Sequence, residues 1–480
     1  PLMTSSTMRH GYGCSGAVIY ADKAFHGSLL RGSVAVWCET KVCFNPKVKI
    51  AILQSIFEIE RVTSRIMNER TAAERDAPIY GSFRELFTKG FELDTPTCVF
   101  MIGTHIAAVV LGIWLFAYAP SEWVWAATIW IVIQFFLGSG STTLYTHRLI
   151  THKAAKHVSA PVHWFFCFFG QIFSVQGSVR RWSANHSLHH GVDRHGKKEL
   201  DPYSATWFDG PIRNFVWSHT LSHMCNHPES EEYTRSHNAK RHWIIMLQDK
   251  WYGLLTTFWL FLFPMALGYA LGGWYGFFGL MAGSMLGTIL VQHNTWTVNS
   301  VTHMWGKTDG LNSSASNNYV WLGPLGEGNH HGDHHDYPRD YRNGFGVSGW
   351  LLDPTRYGIL VLRACNLVRG LNRATEKEEA EIIAGREIAQ VSSMTAFNRE
   401  AAALKKQLDT RVMELKNDWI EALAHWETLK QESKLLQQAA DRRDELAKEI
   451  AQARAHVNMR KNAFFAELEA LRTQAMSFSA

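Results

Sequence analysis

The chain has 480 residues, 46% of them apolar, 12% aromatic and 19% charged, with a formal net charge of +5. Few aromatics with high net charge mark a disordered chain, and this composition excludes one; seven Cys scattered without a repeated spacing exclude a disulfide scaffold. A mean hydropathy of -0.14 averages very apolar stretches with very polar ones.

Residues 1–45, with Cys14, Cys38 and Cys43, show no usable period. They also lack the charged start, apolar run and small-residue site of a cleavable signal, so none is expected before the first span. Lys47 to Arg75 reads as an amphipathic helix, with Ile52, Ile56, Ile59 and Ile66 at helical spacing. Residues 1–95 are therefore expected to be an N-terminal cytosolic extension.

From Pro96 to Thr146 the only Asp, Glu, Lys or Arg is Glu122, and from Trp251 to Gly306 there is none. A hydrocarbon core of about 30 Å needs roughly 20 helical residues. Four spans are predicted, at about 97–119, 123–144, 251–271 and 274–298, broken at Pro120 and at Gly272 and Gly273. The two short connections carry no Lys or Arg, whereas Tyr145 to Lys250 carries 13. The positive-inside bias then places both ends and the large middle loop in the cytosol. Trp123, Trp125, Trp251 and Trp274 at the span ends read as interfacial anchors.

Beyond Gly385 there is neither Gly nor Pro, and an apolar seam runs at alternate spacings of four and three. It reads Leu408, Val412, Leu415, Trp419, Ala422, Trp426 and Leu429, then Leu436, Ala440, Ala447, Ile450, Val457, Phe464, Leu468, Leu471, Ala475 and Phe478, interrupted by Ser433, Arg443, Arg454 and Lys461. This is a coiled-coil pattern. A straight helix of that length would extend about 140 Å and could not bury its seam alone, so it needs a partner or must fold back. The expected fold is all-α: a four-span helical membrane domain over 96–371 with a cytosolic di-metal cap, then a C-terminal coiled coil over 372–480. The seam contains no histidine of the motifs below, so its removal is expected to leave their site intact.

Histidine makes up 24 of the 480 residues, so any two at a fixed spacing arise by chance. HxxxxH, His147 and His152 in HRLITH, is weak for that reason. Two copies of HxxHH are much rarer: His186, His189 and His190 in HSLHH, and His331, His334 and His335 in HGDHH. On a helix, positions i, i+3 and i+4 share a face, so each HxxHH can turn its imidazoles to a common point. His147 and His152 lie about 140° apart on an ideal helix. They converge only if the helix end is distorted or if two metals divide them. All three motifs fall on the same side of the predicted membrane.

HRLITH, then HSLHH, then GEGNHHGDHHDYP resemble the integral-membrane acyl desaturases of the stearoyl-CoA (delta-9) type. The similarity runs from about Pro96 to Leu371 and includes Trp182, Asp201 with Pro202, and the block NTWTVNSVTHMWG. It implies nine imidazole ligands, His147, His152, His186, His189, His190, His303, His331, His334 and His335, around two irons, with Asn299 close to the metal. One extra residue after Glu327 makes His330 a spare and His331 the ligand. Asn185, Ser187 and the Gly196 to Leu200 insertion depart from the animal enzymes where the family holds its acyl carrier, and Arg180, Arg181, Lys197, Lys198 and Arg213 suit carrier phosphates or lipid.

The expected reaction is oxygen-dependent desaturation of an acyl chain to a cis alkene, delta-9 by resemblance, with dioxygen as co-substrate. Imidazole suits iron, and zinc has no redox chemistry to offer. No HPGG haem signature is present, so electrons are expected from a separate cytochrome b-type protein or ferredoxin. The other expected partners are acyl-CoA or another acyl carrier, membrane lipid, and a second chain through the coiled coil; no nucleic acid is expected. The location implied is the bacterial inner membrane or the endoplasmic reticulum. Related di-iron hydroxylases share such motifs. A metal transporter or haem protein would instead place ligands inside the spans, where only His105 and His293 lie. An inactive membrane part serving a coiled-coil scaffold is the third alternative.

Overall fold

The structure is a computed structural model and describes residues 79–195, 200–228, 234, 242–307, 315–318, 323–395, 408–435 and 440–477. The expected N-terminal helix, Lys197 and Lys198 lie outside these residues. The described residues are predominantly helical. Three helical runs are long and apolar enough to cross a membrane, over Thr95–Tyr118, Ser121–Thr151 and Trp243–Met304.

Helix α1 (Thr95–Tyr118) starts where the Asp94 side chain accepts a hydrogen bond from the Thr97 amide at 3.2 Å, with Pro96 in the first turn. Its buried stripe is Met101, Thr104, Ala108, Gly112 and Leu115, while Val99, Ile106, Ile113 and Phe116 face outward and are exposed. Helix α2 (Ser121–Gly140) repeats this with Trp125, Ile129 and Phe136 outward. An apolar surface of this extent is accepted by hydrocarbon, not by water.

The third run is 62 residues long. Straight, it would extend about 93 Å, roughly three bilayer cores. It leaves helical geometry at Gly272 and Gly273, the latter at φ 56°, and turns back on itself. The Ser284 hydroxyl donates to the Leu260 carbonyl at 2.7 Å across the turn, and Gly268 meets Gly276 backbone to backbone. The first arm begins as α3 (Trp243–Thr257) and the second is the C-terminal part of α4 (Phe263–Asn299). A stripe of Gly272, Gly276, Gly279 and Gly283 on the second arm receives Trp123 and Ala127 of α2. Small residues let two backbones approach where no hydrophobic effect drives them together. Trp123 thus packs between helices, whereas Trp125, Trp251 and Trp274 are exposed as anchors would be.

On one end of these helices the chain builds a cap. The helix following α2 widens to π geometry over Ser141–Thr151, and Ala155–Val158 pairs antiparallel with Val368–Leu371. The cap core gathers Tyr145, Leu149, Val162, Ile244, Ile359 and Val368. Three further segments carry the second and third histidine motifs and the intervening block: α5 (Val179–His195), α6 (Val301–Met304) and α7 (His331–Asp336).

Much of the C-terminal seam is buried within the chain, although Ala447 is exposed and Leu436 and Phe478 lie outside the described residues. Helices α8 (Glu376–Thr395), α9 (Met413–Leu435) and α10 (Ala440–Ser477) pack together, α9 and α10 antiparallel, with Trp419 against Phe464 and Leu429 against Leu446. Val412, Leu415, Trp419, Ala422, Val457, Phe464, Leu468, Leu471 and Ala475 form its core with Ala380, Ala384 and Val391 of α8. Between Ala440 and Val457 the seam runs through Leu446 and Ala453, one residue ahead of the expected Ala447 and Arg454. The phase restarts with α10, which a period carried unbroken from α9 misses.

Gly283→Leu should therefore destabilise the protein by about 1–3 kcal/mol, because a Cβ there stands 2.9 Å from the Ala127 backbone. Gly103→Ala, which has open space, should be neutral. Thermal unfolding in detergent compares them.

Candidate metal centre

Nine of the histidines converge in two buried groups. His147, His152, His186, His190 and His334 form the first, and His189, His303, His331 and His335 the second. Within each group one ring nitrogen per residue lies within 4.8 Å of all the others. The groups abut, the His190 ring stacking on His335 at a centroid distance of 4.0 Å. These are the nine expected positions.

Local structure explains each convergence. In the π-helical turn the His152 amide donates to the His147 carbonyl five residues back, at 3.1 Å, so both rings reach the first group. The distorted helix end, one of the two sequence alternatives, is the one adopted. His186 and His190 lie on one face of α5 while His189 turns to the second group; α7 divides likewise, His334 to the first and His331 with His335 to the second. His303 arrives on the short α6. His330 points elsewhere: it is buried against Gly344, its Nδ1 3.4 Å from Asp333. Asn299 lines a small cavity with His147 and His186.

Carboxylates orient the rings from behind. His147 Nδ1 lies 3.2 Å from Glu327 Oε1, and His189 Nδ1 lies 2.9 Å from Asp201 Oδ1. A carboxylate only accepts, so each ring carries its proton on Nδ1 and presents a bare Nε2. Burial raises the Glu327 carboxyl, but Arg148 and His147 outweigh it and hold it below the ordinary range. Arg148 is itself fully buried, its guanidinium paired with Asp353 at 2.7 and 2.9 Å and with Glu327 at 3.1 Å. Burial first, then neighbouring imidazoles, push His186, His190, His331 and His334 well below the ordinary histidine range, so these rings are neutral.

Rings facing nitrogen to nitrogen fit a cation. His334 Nε2 lies 2.8 Å from His147 Nε2 and 3.3 Å from His152 Nε2, and His303 Nε2 lies 3.1 Å from His189 Nε2 and 2.9 Å from His331 Nε2. One proton cannot serve two such contacts. Metal–nitrogen bonds of about 2.1 Å at right angles put neighbouring nitrogens about 3.0 Å apart, the spacing seen here. Among the described residues, the Nδ1 atoms of His331 and His334 are buried without a hydrogen-bond partner.

A small cavity meets the first group at His147 and His186. The small one, with Trp182 stacked on His186 as part of its wall, shares Gln176, Trp182, Tyr203 and His223 with a cavity of about 510 Å³. The lining of the larger is mixed: Phe100, Met101, Val175, Phe261 and Trp296 are apolar, whereas Asp94, Arg181, Asn185, Asp249 and Gln292 are polar or charged. The arginines considered for carrier phosphates have partners here: Arg180 pairs with Asp249 at 2.7 Å, Arg181 with Asp94 at 2.9 Å, and Arg213 donates to the Gly81 carbonyl.

Sequence reasoning named Glu327 and Asp201 only as parts of motifs and missed Arg148, Asp353 and Asn317. Glu327 and Arg148 adjoin motif residues, which is a usable signal. Asp353 is 205 residues from Arg148, and nothing local marks the pair.

Fold and site together define a helical protein with runs of membrane-crossing length and a nine-histidine pocket suited to two metal ions. No family model matches the chain. It is 28% identical over 289 residues to an sn-1 stearoyl-lipid 9-desaturase of Anabaena variabilis, covering 58% of this chain and 94% of that protein. It is 29% identical over 276 residues to an sn-2 palmitoyl-lipid 9-desaturase of a Nostoc species, covering 56% and 88%. A probable acyl-CoA desaturase of Schizosaccharomyces pombe is 29% identical over 252 residues, covering 52% of this chain and 49% of that one. Over more than half of its length the chain is similar to these acyl-lipid and acyl-CoA desaturases, which are oxidoreductases, and the similarity supports a desaturase assignment.

Asp201→Ala removes no ring nitrogen, yet it should lower metal affinity about 10- to 100-fold by freeing the His189 tautomer. Metal retained after a chelator challenge measures this. His330→Ala should cost stability and keep its metal.

Proposed function

We propose that the protein inserts a cis double bond, most simply delta-9, into a saturated acyl chain at a histidine-held di-iron centre. The observation carrying this reading is the pair of buried imidazole groups, five rings and four, the first of which lines a small cavity that shares Gln176, Trp182, Tyr203 and His223 with a cavity of about 510 Å³. That volume lies within the range of small-molecule sites. Bound there, two irons supply, with dioxygen and two electrons, the oxidising power to take two hydrogens from an alkyl chain. The balance is one dioxygen, two electrons and two protons in, and two waters out.

The remaining work belongs to this chain's residues. Phe100, Met101, Val175, Phe261 and Trp296 hold a chain by apolar contact, and the depth from the mouth to Trp182 sets which carbon–carbon bond meets the centre. Trp182 and Tyr203 stand at the junction of the two cavities and exclude bulk water. Glu327 and Asp201 keep the Nδ1 protons of His147 and His189, so the Nε2 lone pairs stay aimed inward. A second cavity of about 380 Å³ shares Arg181, Asn185 and Tyr203 with the first and suits the acyl carrier, whether coenzyme A or a lipid headgroup.

We further read the hairpin at Gly272 and Gly273 as two crossings, which makes four in all. The cap then faces the cytosol, as the 13 Lys and Arg between Tyr145 and Lys250 favour. Electrons come from a separate cytochrome b-type protein or ferredoxin.

Two measurements test the reading. The purified protein should hold close to two irons, and a host lacking unsaturated fatty acids should regain them on expression. Zinc as the only metal from iron-replete cells, with no unsaturated product, sinks it. Single-Cys labels near Pro120 and Gly272 should react from outside the cytosol while one near Ser187 stays protected; equal labelling of all three removes the four-crossing topology.

A further inference from the structure

Helix α7, His331–Asp336, has the sequence HGDHHD. At about 100° per residue, His331, His334 and His335 centre on one side and Asp333 with Asp336 on the other, about 180° away. The imidazole side enters both metal groups. The carboxylate side meets a residue from beyond the membrane domain. Arg386 of α8 places Nη1 2.8 Å from Asp333 Oδ1 and Nη2 2.6 Å from Asp336 Oδ2. All three side chains are largely buried, at 13%, 5% and 12% exposure.

One planar guanidinium thus bridges two carboxylates one turn apart. Such a charge-assisted fork fixes direction as well as distance. A six-residue helix is too short to hold its own rotation about its axis, and rotation is what aims its imidazoles. Asp333 is fixed from other sides too: the Phe345 amide donates to Oδ2 at 3.1 Å and the Asn317 amide group to Oδ1. Asp336 pairs with Arg386. The surrounding contacts keep α8 in register, with Arg342 pairing Glu379 at 3.2 Å and the Tyr337 hydroxyl meeting Glu378 at 3.3 Å.

We propose that Arg386, and through it the C-terminal helical bundle, is a positioning residue for the metal ligands of the third histidine motif. The bundle is then part of the metal site, not an appendage to it. This rests on the two-metal reading of the nine histidines.

The test uses the full-length protein loaded with ferrous iron and follows release to bipyridine. Wild type should hold close to two irons. Arg386→Gln should release iron about 10-fold faster, Asp336→Asn should show a smaller acceleration, and Arg386→Lys, whose ammonium cannot span both carboxylates, should fall between Arg386→Gln and wild type. Cobalt(II)-loaded Arg386→Gln should also show an altered visible spectrum. Arg472→Gln is the control: it breaks a 2.7 Å pair with Glu387 inside the bundle and touches no part of α7. It should release iron at the wild-type rate. Unchanged release and spectrum in Arg386→Gln, or equal acceleration in Arg472→Gln, overturns the proposal while leaving the metal reading intact. If Arg386→Gln does not fold, unchanged release from Asp336→Asn overturns it equally. A wild-type chain that takes up no metal removes the metal reading, and this proposal with it.

Discussion

Nine imidazoles buried with their nitrogens facing one another are stable only when the placement of their protons is controlled. For His147 and His189 carboxylates do this. Glu327 and Asp201 take the Nδ1 protons of His147 and His189, and a buried carboxylate in turn requires a cation or several donors. Arg148 answers Glu327, and Asp353 answers Arg148 with two hydrogen bonds. The order from the centre outward is therefore ring, carboxylate, guanidinium, carboxylate. Each layer satisfies the one inside it, and a break at any layer leaves a charge in a low-dielectric interior.

The membrane-length helices serve this arrangement by direction. Helix α2 runs directly into the π-helical turn that carries His147 and His152, and α4 ends at Asn299, four residues before His303. Rigid helices in close contact through the glycine stripe fix where those two ends emerge. The polar centre therefore sits at the end of the helices, and the cavity beside it takes Phe100, Met101 and Trp296 from them together with polar groups such as Arg181 and Asn185.

Features with a local period were legible in the sequence. The apolar runs, the break at Gly272 and Gly273, and the clustering of both HxxHH motifs follow from hydropathy and helical geometry alone. His303 became legible only by resemblance, because a single histidine carries no spacing. The meeting of His147 and His152 needed the π turn, which an ideal-helix projection does not produce. The C-terminal seam was visible but its phase slipped by one residue at Leu446, where a new helix restarts the count. The long-range pairs, Arg148 with Asp353 and Arg386 with Asp333 and Asp336, were invisible, since no local pattern couples an arginine to a carboxylate dozens of residues away.

The histidines outside the motifs show what distinguishes a ligand set from a hydrogen-bonded one. His105 Nδ1 faces the Met101 carbonyl at 2.7 Å, so its proton lies there and its Nε2 accepts from His293 Nε2 at 3.0 Å. His293 then accepts at Nδ1 from His219 Nε2, again at 3.0 Å. Each of these two contacts takes one proton. The far nitrogen of His219 lies 3.0 Å from the Ser300 hydroxyl, which donates to the Trp296 carbonyl. In the nine-histidine pocket, His334 and His303 each face two other Nε2 atoms with a single position to offer, so protons alone leave contacts unmet. The difference lies in contacts per nitrogen: in the row of three each nitrogen meets at most one other ring, whereas in the nine-histidine pocket Nε2 of His334 and of His303 each meets two, a crowding that a metal can relieve.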